Sequence, residues 1–187
     1  MGTDTVELDC ICVPGSPALI NSDAEEVEAA YFLLKEVRTR KDTADAFVVA
    51  CHSDPGLSAV AEVTGKPALG IGSSSLLAAA ASCDRAAILV ISEKSVPRKV
   101  AFAKRLGLKG RFFSVPTGYT EHMTEAETLE CLMKAAREAL REGAGALVLG
   151  CAGMGSAASE MRRILGVPVI DGTEVAVRAL VLGNAGR

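Results

Sequence analysis

GALVLGCAGMGS, at residues 145–156, is an apolar run that ends on Cys151 and continues into glycine-rich sequence. ADAFVVACHSDPG, at residues 44–56, has the same order, with an apolar run that ends on Cys51. In both copies a helix-like segment, a glycine and a proline-led apolar run follow, and cysteine and proline are 16 and 17 residues apart. The cysteines themselves are 100 residues apart. The chain therefore contains an internal duplication of a strand–cysteine–helix–strand unit.

Strand-like and helix-like segments alternate along the rest of the chain. Alternation of this kind predicts the α/β class, with parallel sheets and right-handed crossovers. The predicted strands are 6–13, 46–51, 67–71, 86–91, 111–115, 146–150 and 167–170. The predicted helices are 22–37, 54–65, 73–82, 96–107 and 124–143, a helix that runs through Met161 and Leu165 to Gly166, and 174–182.

Local signals define several helix starts. Ser22 with Glu25, and Thr124 with Glu127, have the spacing of capping boxes, in which each side chain binds the other residue's backbone N–H. Asp54 followed by Pro55 is predicted to be an N-cap and the first helical residue.

The duplication predicts two pseudo-symmetric lobes with parallel sheets. We assign residues 1–82 plus 171–187 to the lobe that carries Cys51, and residues 83–170 to the lobe that carries Cys151. Each cysteine then lies at the carboxyl end of a strand, which is where open α/β sheets bind their ligands.

Composition excludes several classes of partner. The 187 residues carry a net charge of −3 without a basic block, so we expect no nucleic-acid binding. No apolar run approaches the roughly 20 residues of a membrane span. No secretory signal is evident, so we expect a cytoplasmic protein with reduced thiols. The spacing of cysteine and histidine suggests no metal site. The remaining four cysteines are expected to be small buried hydrophobic residues: Cys10, Cys12, Cys83 and Cys131.

Two thiols that face each other permit a specific chemistry. A thiolate can remove a proton from an acidic carbon, and a thiol can return one to the opposite face. A helix amino terminus near each cysteine would favour the thiolate. The residue pattern therefore favours Cys51 and Cys151 as an acid–base pair that inverts a stereocentre of a small-molecule substrate, without a cofactor.

Polar and small residues beside the two cysteines are candidates for binding substrate. His52 could polarise Cys51, bind substrate or do neither. The serine run after GIG could bind a carboxylate or imide, or could only cap its helix, and the serine after AAILVI has the same ambiguity. The residues next to the cysteines could supply donors to a developing enolate. The candidates are His52, Ser53, Ser73, Ser92, Ala152 and Gly153.

Several of these stretches resemble the aspartate/glutamate/hydantoin racemase superfamily, most closely its hydantoin and allantoin racemase branch. They are PGSPALINS, ACHSDPGL, PALGIG, SEKSVPR, LGCAGM and GVPVIDG. The resemblance implies that Cys51 and Cys151 are the acid–base pair. It also implies that no metal or organic cofactor takes part, and that the substrate has an acidified carbon beside carbonyl groups, as 5-substituted hydantoins do.

The chain departs from the family pattern in three places. The usual opening strand with its Asn-Pro-Asn-Thr motif is missing from the sequence, which is expected to affect the substrate site and to leave a strand position for a partner chain to cover. We therefore expect a homo-oligomer. Ser73 stands where an acidic residue is usual, and Ser92-Glu93 replaces the usual Thr-Thr pair.

The expected function is a cofactor-independent racemase or epimerase acting on a hydantoin-like or amino-acid-derived substrate. Two alternatives stay open. One is a cysteine-dependent isomerase or decarboxylase of the same superfamily. The other is a non-catalytic small-molecule-binding remnant, because the first strand of the family is missing.

Overall fold

The computed structural model describes residues 6–184, which form an α/β structure with seven α-helices and six strands. The helices are α1 Asp23–Arg40, α2 Leu57–Thr64, α3 Ile71–Ser82, α4 Val96–Arg105, α5 Glu125–Arg141, α6 Ala158–Leu165 and α7 Gly172–Asn184. The strands are β1 Phe47–Val49, β2 Ala68–Gly70, β3 Ala86–Val90, β4 Phe112–Pro116, β5 Ala146–Leu149 and β6 Val169–Ile170.

All strand pairs are parallel. Strands β1 and β2 form one small sheet, and the other four form a second sheet in the order β4-β3-β5-β6. Consecutive parallel strands need a crossover connection, and the helices of this chain supply it. The α/β class with parallel sheets is thus confirmed.

Helices cover both faces of the four-stranded sheet. Leu89 and Leu147 point to the face covered by α5 and α6, where Leu132 and Met161 are fully buried. Ile88 and Val148 point to the opposite face, covered by α3 and α4. Because both faces are buried, strands β3 and β5 are apolar at every position, as is usual for parallel sheets.

Helix α3 connects the two sheets. It begins directly after β2, yet its residue Leu76 is buried in the cluster on the four-stranded sheet. It also packs against α7, and α7 contacts β1 and β2. A side chain at Gly172 would overlap the carbonyl oxygen of Ile71, so the two helix starts approach closely. The assignment of the chain to two lobes stays a prediction.

The strand expected over residues 6–13 is wrong. These residues have no regular secondary structure, and Val6 and Leu8 are 54% and 63% exposed. Within residues 6–184 no strand pairs with this segment, and a strand without a partner leaves its backbone groups without ladder hydrogen bonds. Cys10 and Cys12 are consequently exposed, contrary to expectation, whereas Cys83 and Cys131 are half-buried against the cores.

The two capping boxes differ in outcome. Thr124 and Glu127 form the complete reciprocal arrangement at the start of α5. At α1 the Ser22 hydroxyl accepts from the Glu25 N–H at 3.2 Å, but the Glu25 carboxylate accepts from the Asn21 N–H at 2.6 Å. In the capping box of α1, the hydrogen bond to the Glu25 carboxylate therefore comes from Asn21, one residue before the N-cap.

Asp54 does cap a helix, but a different one from the helix predicted. Helix α2 begins at Leu57 after Gly56, whereas the Asp54 carboxylate accepts from the N–H groups of Gly72 and Ser73 at 2.8 and 2.7 Å, at the start of α3. Asp54 has a left-handed backbone with φ of 51°, which turns its side chain away from its own helix. The loop after β1 is therefore tied to α3.

Replacing Asp54 with alanine is expected to destabilise the protein by about 1–2 kcal/mol, since helix caps contribute that much and alanine tolerates the left-handed backbone poorly. Asp54→Asn keeps one acceptor and tolerates the backbone, so its loss should be smaller. Urea unfolding of both variants tests this, with Asp42→Ala at an exposed position as the matched control. Equal stabilities for Asp54→Ala and Asp42→Ala would contradict the cap.

Candidate active site

Cys51 lies in the loop that leaves β1, two residues past its end, and is half-buried. Burial raises the pKa of its thiol above the ordinary value, and the charges of Cys151 and Asp54 act in the same direction. The Ser53 N–H, which donates to the Cys51 thiol, and the Lys99 ammonium oppose this rise. The expected helix-dipole effect is absent at Cys51, since α2 starts only at Leu57.

Cys151 lies two residues past the end of β5, at the N-cap of a short 3-10 helix, Ala152–Ala157. Ala152 and Gly153 are exposed at the start of this helix, where backbone N–H groups lack intrahelical acceptors. A Cβ at Gly153 would overlap the Tyr119 hydroxyl, so a glycine is needed for this close approach. Burial raises the pKa of Tyr119, and the Cys151 charge adds to that rise.

The charge of Cys151 acts on Cys51 and on Lys99. Cys151 raises the pKa of Cys51, and both cysteines raise the pKa of Lys99. The two thiols of the sequence duplication each follow the carboxyl end of a strand, and the two strands belong to different sheets.

Lys99, on α4, is the functional candidate that sequence reasoning missed. Its Nζ donates to the Ser53 hydroxyl at 3.4 Å, and burial lowers its pKa from 10.5 to about 8. The signal available in the sequence was its spacing from Phe102, which is buried against the four-stranded sheet. Residues three apart share a helix face, so Lys99 lies on the inward side of α4.

His52 is buried, with 3% of its surface exposed, and stays neutral because burial and then the Lys99 charge lower its pKa well below the usual value. Its Nε2 lies 3.2 Å from the Ser75 hydroxyl, which donates to the Gly72 carbonyl at 2.9 Å. The hydroxyl has a single proton, so when it donates to Gly72 the Nε2 atom is the donor in its contact with Ser75. Within residues 6–184, the Nδ1 atom of His52 has no hydrogen-bond partner.

The other predicted site residues occupy three different settings. Ser53 contacts Lys99, as described above. The Ser73 N–H is bound by Asp54 and its hydroxyl donates to the Gly70 carbonyl at 3.4 Å, so the anion position at this helix start holds the protein's own carboxylate. Ser92 follows β3, the strand next to β5, and is the N-cap of a 3-10 turn, Glu93–Ser95.

Two further features are absent from the described part of the chain. Within residues 6–184, no three acidic, histidine or cysteine side chains gather closely enough to hold a metal ion. The same part of the chain has no helix that is both long and apolar enough to cross a membrane.

Comparison with known proteins places the chain in a family. A family model described as Asp/Glu/Hydantoin racemase matches residues 1–180. Hydantoin racemase from Paenarthrobacter aurescens is 35% identical over 169 residues, which are 87% of this chain and 72% of that protein. Hydantoin racemase from Rhizobium meliloti is 35% identical over 171 residues, or 87% of this chain and 70% of that protein.

Solved structures agree with this assignment. Allantoin racemase from Klebsiella pneumoniae superposes with a TM-score of 0.78 at 27% identity, covering 92% of this chain and 74% of that one. Arylmalonate decarboxylase shares the fold, with a TM-score of 0.64 at 18% identity over 86% of this chain and 78% of that one. The sequence resemblance is confirmed: the chain belongs to the Asp/Glu/hydantoin racemase family.

Proposed function

We propose that this protein is a cofactor-independent racemase or epimerase that inverts a carbon next to carbonyl groups, with Cys51 and Cys151 as its acid–base pair. The observation that carries the proposal is the placement of the two thiols: they come from duplicated units and lie at strand ends of separate sheets, and the charge of Cys151 raises the pKa of Cys51.

The proposed reaction has two proton transfers. The thiolate of Cys51 removes the proton from the stereocentre, which leaves a Cys51 thiol and a carbanion delocalised as an enolate. The Cys151 thiol then donates its proton to the opposite face, which leaves a Cys151 thiolate and the inverted product. In the reverse direction the two cysteines exchange roles, so the site needs one thiolate and one thiol at the start of every turnover.

Neighbouring groups support the intermediate. The N–H groups of Ala152 and Gly153, at the start of the 3-10 helix, are candidates to stabilise the enolate oxygen. The hydroxyls of Ser53 and Ser92 lie beside the strand ends and are candidates to orient polar substrate atoms. The Tyr119 hydroxyl adjoins the same loop and is a further candidate.

The substrate class is proposed from the relatives. Hydantoin racemases at 35% identity and an allantoin racemase at 27% identity support a cyclic substrate whose stereocentre lies beside a carbonyl group. Such a carbon is acidified because the negative charge spreads onto oxygen, which brings it within reach of a thiolate base.

Solvent deuterium exchange tests the two-thiol mechanism. In D₂O, a 5-substituted hydantoin or allantoin should gain deuterium at its stereocentre with wild-type protein, as followed by proton NMR. Cys51→Ser and Cys151→Ser should each reduce racemisation at least about 1,000-fold, because a serine hydroxyl is a far weaker acid than a thiol and general acid–base groups contribute roughly 10²–10⁴-fold each. Cys131→Ser, at a half-buried thiol outside the site, is the matched control.

The result also separates the alternatives. Racemisation at the wild-type rate in either Cys51→Ser or Cys151→Ser would contradict the proposal that the two cysteines are the acid–base pair. Carbon dioxide release from an aryl malonate, without racemisation of any hydantoin, would favour a decarboxylase. Saturable binding of a hydantoin without exchange would favour a non-catalytic binder.

We also propose that the protein forms a homo-oligomer, on the evidence of an apolar strip on α1 and the N-terminal segment. Asp9 pairs with Arg40 at 3.0 Å and Gly15 lies against the Phe32 ring, so this segment runs along α1. Exposed apolar side chains lie on both: Val6, Leu8, Val27 and Tyr31. An exposed apolar strip of this kind is typical of an interface.

Sedimentation velocity is expected to show a dimer or larger species for the wild type. The double variant Val27→Asp/Tyr31→Asp should shift it toward monomer, because burying two carboxylates in an apolar interface is unfavourable. Leu182→Asp, at another exposed apolar position on α7, is the control and should leave the mass unchanged. A monomeric wild type would contradict the assembly.

A further inference from the structure

Lys99 and its neighbour Arg98 are adjacent cations with different surroundings. Arg98 is neutralised by Glu26 at 2.6 Å and by Asp23 at 3.7 Å. Lys99 has no carboxylate within 4 Å among residues 6–184, and its polar contact is the uncharged Ser53 hydroxyl at 3.4 Å. A half-buried ammonium without a carboxylate partner is unusual, since buried charges are normally paired.

The charged groups around Lys99 come from three parts of the chain. The loop after β1 contributes Cys51 and Asp54, the loop after β5 contributes Cys151, and α4 itself contributes Arg98. Asp54 is already bound by two backbone N–H groups of α3, and His52 is neutral. Besides the Asp54 carboxylate, the two thiols are the groups that can supply a negative charge opposite Lys99.

On the basis of the two-thiol mechanism proposed above, we propose that Lys99 is a positioning residue for the reaction: its ammonium is a counter-ion shared by Cys51 and Cys151. Counted over this ammonium and the two sulfurs alone, one thiolate and one thiol give no net charge. Two thiols would leave the ammonium unbalanced, and two thiolates would leave a net negative charge in a partly desolvated site. Lys99 therefore favours the singly ionised pair that either direction of the reaction needs.

A shared position also suits the course of the reaction. Each turnover moves the thiolate from one sulfur to the other, because one cysteine gains the proton that the substrate loses and the other cysteine gives one up. A cation in range of only one cysteine would stabilise the thiolate of that cysteine. It would therefore favour the enzyme state on one side of the turnover over the state on the other side. A cation in range of both stabilises the starting and final states, so neither direction is disfavoured.

The pKa values around the site agree with this role. Burial lowers the pKa of Lys99 to about 8, and the two cysteines oppose that fall, Cys51 more than Cys151. Lys99 in turn lowers the pKa of Cys51 against the effect of burial. Below pH 8 Lys99 is protonated and can stabilise a thiolate, and above pH 8 it progressively loses that capacity.

Alkylation by iodoacetamide, followed by peptide mass spectrometry from pH 5.5 to 9.5, tests the proposal without any need for turnover. Lys99→Met should raise the apparent thiolate pKa of both Cys51 and Cys151 by about one unit, or roughly a tenfold lower thiolate fraction near neutral pH. Lys99→Arg should keep the apparent thiolate pKa of both cysteines near the wild-type value. The difference in thiolate fraction between Lys99→Arg and Lys99→Met should persist at pH 9. Lys104→Met, at an exposed position on the same helix, is the control, and the exposed Cys10 and Cys12 are internal references.

A reciprocal measurement leaves Lys99 in place, so it remains informative where Lys99→Met fails to fold. NMR titration of the Lys99 side chain should show its pKa lowered in both Cys51→Ser and Cys151→Ser, because charge coupling between two sites is mutual. If the pKa of Lys99 falls in only one of the two variants, or in neither, the proposal of a shared counter-ion is overturned. A protein that shows both shifts but no deuterium exchange would keep this inference and reject the racemase proposal.

Discussion

The hydrogen bonds between the Asp54 carboxylate and the first N–H groups of α3 hold the site together. Asp54 follows Cys51, His52 and Ser53 in one loop, so the position of the whole loop depends on this contact. Helix α3 in turn packs on the four-stranded sheet, and Cys151 lies just past the carboxyl end of its interior strand β5. One carboxylate therefore connects the loop of one cysteine to the sheet of the other.

Close backbone packing accompanies this contact. A side chain at Gly70 would overlap the Asp54 carboxylate, and a Cβ at Gly72 would come within 2.5 Å of the His52 carbonyl oxygen. Two glycines are therefore needed where the loop meets the start of α3. The same region buries His52 beside Ser75, where burial keeps its imidazole neutral.

Prediction from sequence was accurate where local patterns decide structure and inaccurate where a partner decides it. Helix α5 forms as predicted, because Thr124 and Glu127 satisfy each other within one turn. The strand predicted over 6–13 does not form, because a strand depends on neighbours that alternation of residue types does not identify. Val27 and Tyr31 have helical spacing on α1 but are 70% and 58% exposed. Periodicity indicates that a helix has an apolar face, but it does not identify the element that packs against that face. Asp54 was predicted as a cap, but of the wrong helix, because local spacing does not identify which distant N–H groups donate to its carboxylate.

The sequence by itself determined the α/β class and the duplicated cysteine unit, because repetition and apolar patterning are properties of the chain order. Membership of the racemase family was carried by specific stretches that resemble the family and was confirmed by comparison with its members. Only the tertiary structure decided that Asp54 caps α3 and that His52 is buried and neutral. It also decided that the charges of both cysteines act on Lys99. Those features depend on which surfaces meet after folding. Desolvation and charge act through space, so residues separated by 48 and 52 positions along the chain influence one another at the site.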